Sequence, residues 1–265
     1  MTTRERLTEH FEEAKTLFPE DRIVGLFLQG SQNYGLELPT SDVDTKLIVA
    51  PTFEDIALVR KPVSTTYVRE NDEHIDLKDI RLYIETFRKQ NLNFLEILFT
   101  DYFIVNPLYA EQWARLVEHR EEIARMNPYR AVKSMKGIAM EKFHAMEHLY
   151  PTKLDLIEKY GFDGKQVHHL LRVADYLTRY IAGESYKDCL HPSKNLIDRM
   201  MSYKQHEVPL YIARIEAKAV LDYTVAIADK FCASYKDEED ISCRKLLEDV
   251  SYNIMKIATL KELVK

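Results

Sequence analysis

The 265-residue sequence is poor in glycine and proline, with 7 and 9 residues, and it has only three cysteines. Collagen-like and low-complexity proteins are excluded, because both classes need a strongly biased composition. Cys189, Cys232 and Cys243 are odd in number and widely spaced, which excludes a disulfide framework and a paired-cysteine zinc site. This use of cysteine is typical of a reducing compartment.

Long apolar runs are also missing. No stretch approaches the roughly 18 apolar residues that a membrane-spanning helix needs. The first segment, MTTRERLTEHFEEAK, lacks the apolar region of a secretory signal. We therefore expect a cytoplasmic protein without a membrane partner.

The sequence also has no excess of basic residues. The chain has 37 Lys and Arg against 43 Asp and Glu, a net charge of −6. Residues 1–105 carry 12 basic and 19 acidic residues, whereas residues 106–265 carry 25 and 24. Proteins that bind duplex nucleic acid usually have a strong basic excess, so we do not expect duplex DNA as a partner. The acidic part suits a site that concentrates divalent cations.

The apolar pattern divides the chain into two parts. After a helical pattern over residues 3–18, the runs IVGLFLQG (23–30) and DVDTKLIVA (42–50) predict strands. A hairpin is predicted around Asn71-Asp72, followed by a helical stretch over residues 81–101 that breaks near Asn91–Asn93. Beyond Pro107 the apolar period is close to 3.6. We predict an α/β (α+β) domain with a mixed sheet over residues 1–105 and an all-α domain over residues 106–265.

A polar segment between the two predicted strands carries the chemistry. It reads LQGSQNYG (28–35) and continues to Ser41-Asp42-Val43-Asp44. Gly30 permits a tight turn, and Ser31 lies at the predicted start of a short helix, where its hydroxyl and free N–H groups would bind phosphate. Asp42 and Asp44 are two residues apart on an extended segment and therefore share a face. Two such carboxylates favour a hard cation, Mg²⁺ or Mn²⁺.

A third carboxylate lies in the sequence EHIDL, where His74 and Asp76 share one face of a predicted strand. If this strand pairs beside the first pair of carboxylates, Asp76 completes a triad. Three carboxylates and the substrate phosphates would hold two metal ions about 3.5–4 Å apart. The chemistry that this arrangement suggests is phosphoryl or nucleotidyl transfer.

These residues resemble a known signature. Gly30-Ser31, a spacer and Ser41-Asp42-Val43-Asp44 are similar to the motif of the DNA polymerase beta-like nucleotidyltransferase superfamily, and most of all to its predicted bacterial and phage subgroup. The stretch NLNFLEILF (91–99) resembles a Gly-Asn-Pro-Asn-x-x-Glu-x-Leu-Phe segment of that subgroup. At the positions where that segment has Gly and Pro, this sequence has Gln90 and Leu92. Lys165, His169 and Arg172 resemble its Lys-x-x-x-His-x-x-Arg helix.

The resemblance implies a role for each matching residue. Asp42 and Asp44 would bind both metal ions, and Asp76 would bind the catalytic one or act as general base. Gly30 and Ser31 would hold the triphosphate. Lys165, His169 and Arg172 would form one polar stripe on a helix, reaching the phosphates from a helical domain that closes the nucleotide cleft. His74 and Glu96 are further candidates close to this set.

The resemblance implies transfer of a nucleoside monophosphate from a nucleoside triphosphate (NTP) to an acceptor hydroxyl, with release of pyrophosphate. An RNA 3′ end, such as that of a tRNA, a small molecule and a protein side chain all stay open as acceptors. Two alternatives stay open as well. One is a catalytically silent nucleotide-binding or regulatory module. The other is a zinc metalloprotease, because His144, Glu147 and His148 match H-x-x-E-H.

Overall fold

A five-stranded mixed sheet organises the N-terminal part of the computed structural model, which describes residues 2–39 and 41–264. The strands are β1 (Ile23–Gln29), β2 (Asp44–Val49), β3 (Ser64–Val68), β4 (His74–Asp79) and β5 (Phe103–Val105). Their order is β3-β4-β2-β1-β5, and the β2–β4 pair is parallel whereas the other three pairs are antiparallel. The predicted mixed sheet is confirmed. The EHIDL strand, β4, pairs with β2, the strand that follows Asp42.

The chain folds into two compact units, Met1–Met126 with Glu239–Lys265 and Asn127–Glu238. This division differs from the predicted boundary at residues 105 and 106. The first unit contains, besides the sheet, α1 (Thr3–Leu17), α2 (Phe53–Ala57), α3 (Ile80–Arg88), α4 (Leu92–Leu95), α5 (Ala110–Glu118), α6 (Arg120–Ala124) and α13 (Ile241–Leu263). The second contains α7 (Pro128–Ala145), α8 (Leu154–Tyr160), α9 (Gly164–Ile181), α10 (Tyr186–Leu190), α11 (Lys194–Lys204) and α12 (Leu210–Cys232).

Ion pairs connect the last helix, α13, to the first unit. Arg88 at the end of α3 pairs with Glu239 at 3.1 Å, and Arg115 of α5 pairs with Asp249 of α13 at 2.7 Å. The Phe53 N–H also donates to the Glu262 carboxylate at 2.9 Å. Since α13 packs against α3 and α5, the helical C-terminal part is not one domain.

Helix α1 covers one face of the sheet. It begins with a capping box, in which the Thr2 hydroxyl and the Glu5 carboxylate accept each other's backbone N–H groups. Its apolar side packs on the alternate, inward-facing strand residues. This core comprises Leu7, Ala14, Ile23, Leu26, Leu47, Val49, Ile75 and Leu77.

The opposite face of the sheet carries the polar residues of interest. Phe27 lies on this face and packs against Trp113 of α5, with ring centroids 4.1 Å apart. Further along, Tyr83 of α3 makes an edge contact with Phe94 of α4 at 5.7 Å. Along β2 and β4 this face also bears the charged residues Asp44, Lys46, Asp76 and Lys78.

The predicted helix over residues 81–101 is interrupted earlier than expected. Helix α3 ends at Arg88, and Gln90 adopts a left-handed backbone with φ of 54°. This conformation suits glycine, which is the residue that the resembling segment has here. The buried Gln90 amide holds the turn by donating to the carbonyls of Phe87 and Ile123, both at 2.8 Å. A 3₁₀ helix over Glu96–Leu98 follows α4.

Helix α9 is the centre of the second unit. It packs against α7, α10, α11 and α12. At its start, the space for a Cβ on Gly164 is taken by the Tyr203 carbonyl oxygen, 2.0 Å from the ideal Cβ position, so only glycine fits there. No helix within the described residues combines the length and the apolar character that a membrane span requires.

Candidate active site

The turn after β1 has the backbone that its glycine predicts. Gly30 has φ of 99° and ψ of −158°, and a 3₁₀ helix over Ser31–Asn33 follows. Asn33 fixes the turn, since its amide donates to the Leu28 carbonyl at 3.1 Å and accepts from the Thr100 hydroxyl at 2.6 Å. The turn that carries Ser31 is therefore tied to the sheet on one side and to residue 100 on the other.

A buried carboxylate holds the second end of this turn. The Tyr34 hydroxyl donates to Glu96, whose side chain is 3% exposed. Glu96, a candidate from the sequence, thus lies beneath the loop and contacts the loop rather than solvent. We assign it a positioning role.

Gly30→Ala tests the backbone of this turn. The conformation of Gly30 is nearly exclusive to glycine, so the variant should lose about 1–3 kcal/mol in free energy of unfolding. Steric contact is not the cause, because the nearest atom to the added Cβ is 4.0 Å away. Denaturant unfolding measures the change. Gly137→Ala in α7 is the control, with an expected gain of about 0.5–1 kcal/mol, and an equal response of both variants would contradict the assignment.

The Ser41–Asp44 segment differs from its prediction. Strand β2 begins at Asp44 and not at Asp42. The Val43 N–H donates to a Glu73 carboxylate oxygen at 3.0 Å. Because a side chain satisfies this amide, residues 41–43 stay outside the strand. Asp42 and Asp44 are consequently not alternate residues of one strand.

Glu73 is the centre of a buried charged cluster. Its side chain is 1% exposed and pairs with Arg6, with Arg69 at 2.8 Å and with His10 at 2.8 Å. Arg6 also donates to the Ser41 carbonyl at 3.2 Å. The cluster therefore holds the backbone of residues 41 and 43, on both sides of Asp42, by hydrogen bonds.

The two carboxylates of this segment differ in their surroundings. Within residues 2–39 and 41–264, the exposed Asp42 carboxylate has no hydrogen-bond or ion-pair partner, and its backbone carbonyl accepts from Gln32 at 2.7 Å. The Asp44 side chain is 40% exposed. Its Oδ1 accepts from the His74 backbone N–H at 3.0 Å and lies 3.1 Å from His74 Nδ1. Asp42 and the Oδ2 atom of Asp44 thus remain to bind a ligand.

Unlike Asp42 and Asp44, Asp76 lies beside two lysine side chains. In the parallel β2–β4 ladder it lies opposite Lys46, whose Nζ is 3.0 Å from Oδ2. Lys78 Nζ lies 2.7 Å and 2.9 Å from the two Asp76 oxygens. Both ammonium groups face the Phe94 ring, at 4.1 Å and 5.0 Å from its centroid. Asp76 is thus the anion of a lysine–aspartate–lysine cluster, formed by Lys46, Asp76 and Lys78.

The pKa values of this cluster follow from its charges. Burial by itself would raise the pKa of Asp76, but the ammonium groups of Lys46 and Lys78 outweigh burial and lower it. Burial lowers the pKa of the Lys46 ammonium, and Asp76 only partly opposes this shift. A carboxylate held ionised by two cations is a weak proton acceptor. The expected role of Asp76 as general base is therefore not favoured.

The structure brings some of the predicted site residues together. Gly30, Ser31, Asp42 and Asp44 lie at one end of the paired strands β1 and β2, where Gln29 is opposite Asp44. Asp76 lies farther along the sheet, with the two lysines. Among the described residues, no three His, Cys, Asp or Glu side chains are placed to hold one metal ion together.

The oxygen donors suit a divalent cation at Asp42 and Asp44. Both are hard ligands, and two carboxylates together with substrate phosphates are the usual protein set for Mg²⁺. Asp76 does not suit the same role in this arrangement, because its two oxygens already face ammonium groups.

Lys165, His169 and Arg172 all lie on α9 in the second unit, as predicted. Lys165 is exposed, His169 is half-buried and Arg172 is 8% exposed. Burial holds the pKa of His169 well below its usual value, and the positive charges of Arg172, Lys165 and Lys142 act in the same direction. His169 is consequently neutral near pH 7 and can contact a phosphate only through an N–H group.

His168, beside this stripe, gives a pH prediction. Burial lowers its pKa from 6.5 to about 4, although its Nδ1 is hydrogen-bonded to the Met200 carbonyl at 3.0 Å. Between pH 6.5 and pH 4 the unfolded chain binds the proton and the folded one does not, so acid destabilises the folded unit. From pH 7.5 to pH 4.5 this histidine should remove about 2.5 kcal/mol of stability.

The test compares denaturant unfolding at the two pH values. His168→Gln keeps a donor for the Met200 carbonyl and removes the titration, so its stability should fall by about 2.5 kcal/mol less than that of the wild type. His144→Gln, at an exposed position of α7, is the matched control and should behave as the wild type does. An unchanged pH dependence in His168→Gln would contradict the prediction.

The H-x-x-E-H motif does not form the helical pair that zinc binding needs. Helix α7 ends at Ala145, because the Met146 carbonyl accepts from the Asp163 N–H at 2.7 Å. His148 therefore lies beyond the helix that carries His144. Glu147 is paired with Arg214 at 2.6 Å. His144 and His148 therefore do not lie on one face of a helix, which is the arrangement that a zinc site of this motif needs.

Three residues near this site are not singled out by any motif in the sequence. Lys46 and Lys78 share the face of Asp44 and Asp76, and the two-residue period of a strand would have placed them there. Glu73 gives a weaker signal, since its burial depends on Arg6 of α1, which is distant in sequence.

Comparison with family models gives no match for the chain, and comparison with curated proteins gives no relative. The similarity to the DNA polymerase beta-like nucleotidyltransferases therefore rests on the residues quoted above.

Proposed function

We propose that the protein is a metal-dependent nucleotidyltransferase that moves a nucleoside monophosphate from an NTP to an acceptor hydroxyl. The observation that carries this proposal is the adjacency of the Gly30–Ser31 turn and the Ser41–Asp44 segment at one end of β1 and β2. Gln32 bridges the two by donating to the Asp42 carbonyl at 2.7 Å. The turn that we propose for the phosphates and the two carboxylates that we propose for the cation are thus neighbours at one end of these strands.

The turn would bind the phosphates. Gly30 has no side chain, which lets a phosphate approach the backbone closely. The hydroxyl of Ser31 would donate to a phosphate oxygen. The hydrogen bonds of Asn33 to Leu28 and Thr100 fix the direction of this turn before the nucleotide binds, so little ordering is needed on binding.

Asp42 and Asp44 would bind the cation. When bound there, Mg²⁺ or Mn²⁺ would neutralise phosphate charge and lower the pKa of the attacking hydroxyl. The hydrogen bond of Oδ1 to the His74 backbone orients the Asp44 carboxylate, and the contacts to residues 41 and 43 orient Asp42.

The identity of the acceptor can be tested by offering RNA, small molecules and protein in turn. Each α-labelled NTP is incubated with Mg²⁺ or Mn²⁺ and total cellular RNA, with the wild type and with the Asp42→Ala/Asp44→Ala double variant. Label that enters RNA only with the wild type supports transfer to RNA, and the preferred NTP identifies the base. If no label enters RNA, the same reaction is repeated with pooled small molecules and with protein. Absence of transfer to all three, with nucleotide still bound, indicates a silent nucleotide-binding module and overturns the enzyme proposal.

A further inference from the structure

The charges along β2 and β4 do not suit two metal ions. At the start of β2, Asp42 and Asp44 give two negative charges, and among the described residues no lysine or arginine lies within ion-pair distance of either. The lysine–aspartate–lysine cluster farther along has two ammonium groups for one carboxylate. It therefore has a net positive charge, which repels a second cation.

The lysine–aspartate–lysine cluster is also mostly buried, which makes it costly to disrupt. The Lys46 side chain is 4% exposed and stands on the central strand β2, between Phe27 of β1 and Asp76 of β4. Phe94 covers its ammonium group. If a metal ion bound Asp76, this buried ammonium would lose the one carboxylate that lies within ion-pair distance of it among the described residues. A buried charge without a partner is strongly unfavourable.

Strand register separates Asp76 from the first carboxylate pair. Asp44 caps the start of β4 through the His74 N–H, whereas Asp76 is opposite Lys46, two residues farther along both strands. Two residues of a strand advance the chain by about 6.6 Å. The Asp44 carboxylate therefore contacts His74, whereas the carboxylate of Asp76 contacts Lys46.

We infer that this protein uses one divalent cation, bound at Asp42 and Asp44, and that the ammonium groups of Lys46 and Lys78 stand where a second metal ion would otherwise be held by Asp76. The inference rests on the proposed nucleotide site and specifies its metal content. Lys46 and Lys78 supply fixed positive charge on the sheet face beside that site, and Asp76 is a positioning residue for both.

The test counts metal ions and nucleotides held by the full chain. Radiolabelled Mn²⁺ and a labelled, non-hydrolysable α,β-methylene NTP, in separate samples for each of the four bases, are brought to equilibrium by dialysis against the protein. The excess on the protein side gives manganese per bound nucleotide. The variants are Asp44→Asn, Asp76→Asn and, as a matched control in an exposed turn, Asp72→Asn.

We expect one manganese ion per nucleotide in the wild type. Asp76→Asn and Asp72→Asn should keep this ratio, and Asp44→Asn should lose the manganese. Two ions per nucleotide in the wild type would overturn the inference while supporting the proposed function. If no nucleotide is held at all, both the inference and the proposed function fail. Since Asp76→Asn leaves two lysines without their carboxylate, it is also checked for folding, and if it does not fold the wild-type ratio decides alone.

Discussion

Asp44→Asn is expected to lower the rate of nucleotide transfer by roughly a thousandfold or more and to leave the protein folded. Asparagine has the same shape as aspartate, so its Oδ1 can still accept the His74 N–H that fixes the side chain in the wild type. It lacks the charge that binds a divalent cation. The variant therefore separates cation binding from the local structure.

Two measurements check this result. Incorporation of label from an α-labelled NTP gives the rate, and thermal unfolding gives the stability. Asp72→Asn, in the turn between β3 and β4, is the control for loss of one carboxylate in the same unit, and it should transfer label at the wild-type rate. Transfer by Asp44→Asn within a factor of ten of the wild type would contradict the assignment.

Glu73→Ala is expected to lower the free energy of unfolding by about 3–5 kcal/mol. The buried carboxylate is shared by Arg6, Arg69 and His10, and its removal leaves two guanidinium groups close together without their common anion. The Val43 N–H loses its acceptor as well. Denaturant unfolding measures the loss.

The control for this variant is Glu70→Ala, in the same turn but exposed, with an expected change within about 0.5 kcal/mol. A second readout tests the link to the site. Glu73→Gln keeps an oxygen for the Val43 N–H and loses the charge, so it should retain nucleotide binding better than Glu73→Ala does. Equal stability of Glu73→Ala and Glu70→Ala would show that the cluster does not hold the Ser41–Asp44 segment.

Local patterns in the sequence were sufficient for the sheet and for the turn. The apolar run over residues 23–30 and the alternation in EHIDL depend on neighbours along the chain, and both segments form the predicted strands. Gly30 likewise lies in the predicted turn, where its φ is positive. These features depend on backbone geometry that each short segment encodes by itself.

Features set by distant contacts were not predictable in the same way. Strand β2 starts late because Glu73 binds the Val43 N–H, and α7 ends early because Met146 contacts Asp163. The packing of α13 in the first unit depends on ion pairs such as Arg115–Asp249. Amphipathic helices look alike in sequence, so their periodicity does not indicate which unit they join.

The most direct test of the proposed activity is equilibrium binding of the four labelled NTPs, with and without Mg²⁺, to the wild type and to Asp42→Asn/Asp44→Asn. We expect that at least one NTP binds the wild type, that binding weakens strongly without the cation, and that the double variant loses the cation-dependent part. If none of the four NTPs binds the wild type in the presence of Mg²⁺ or Mn²⁺, the nucleotidyltransferase proposal is wrong.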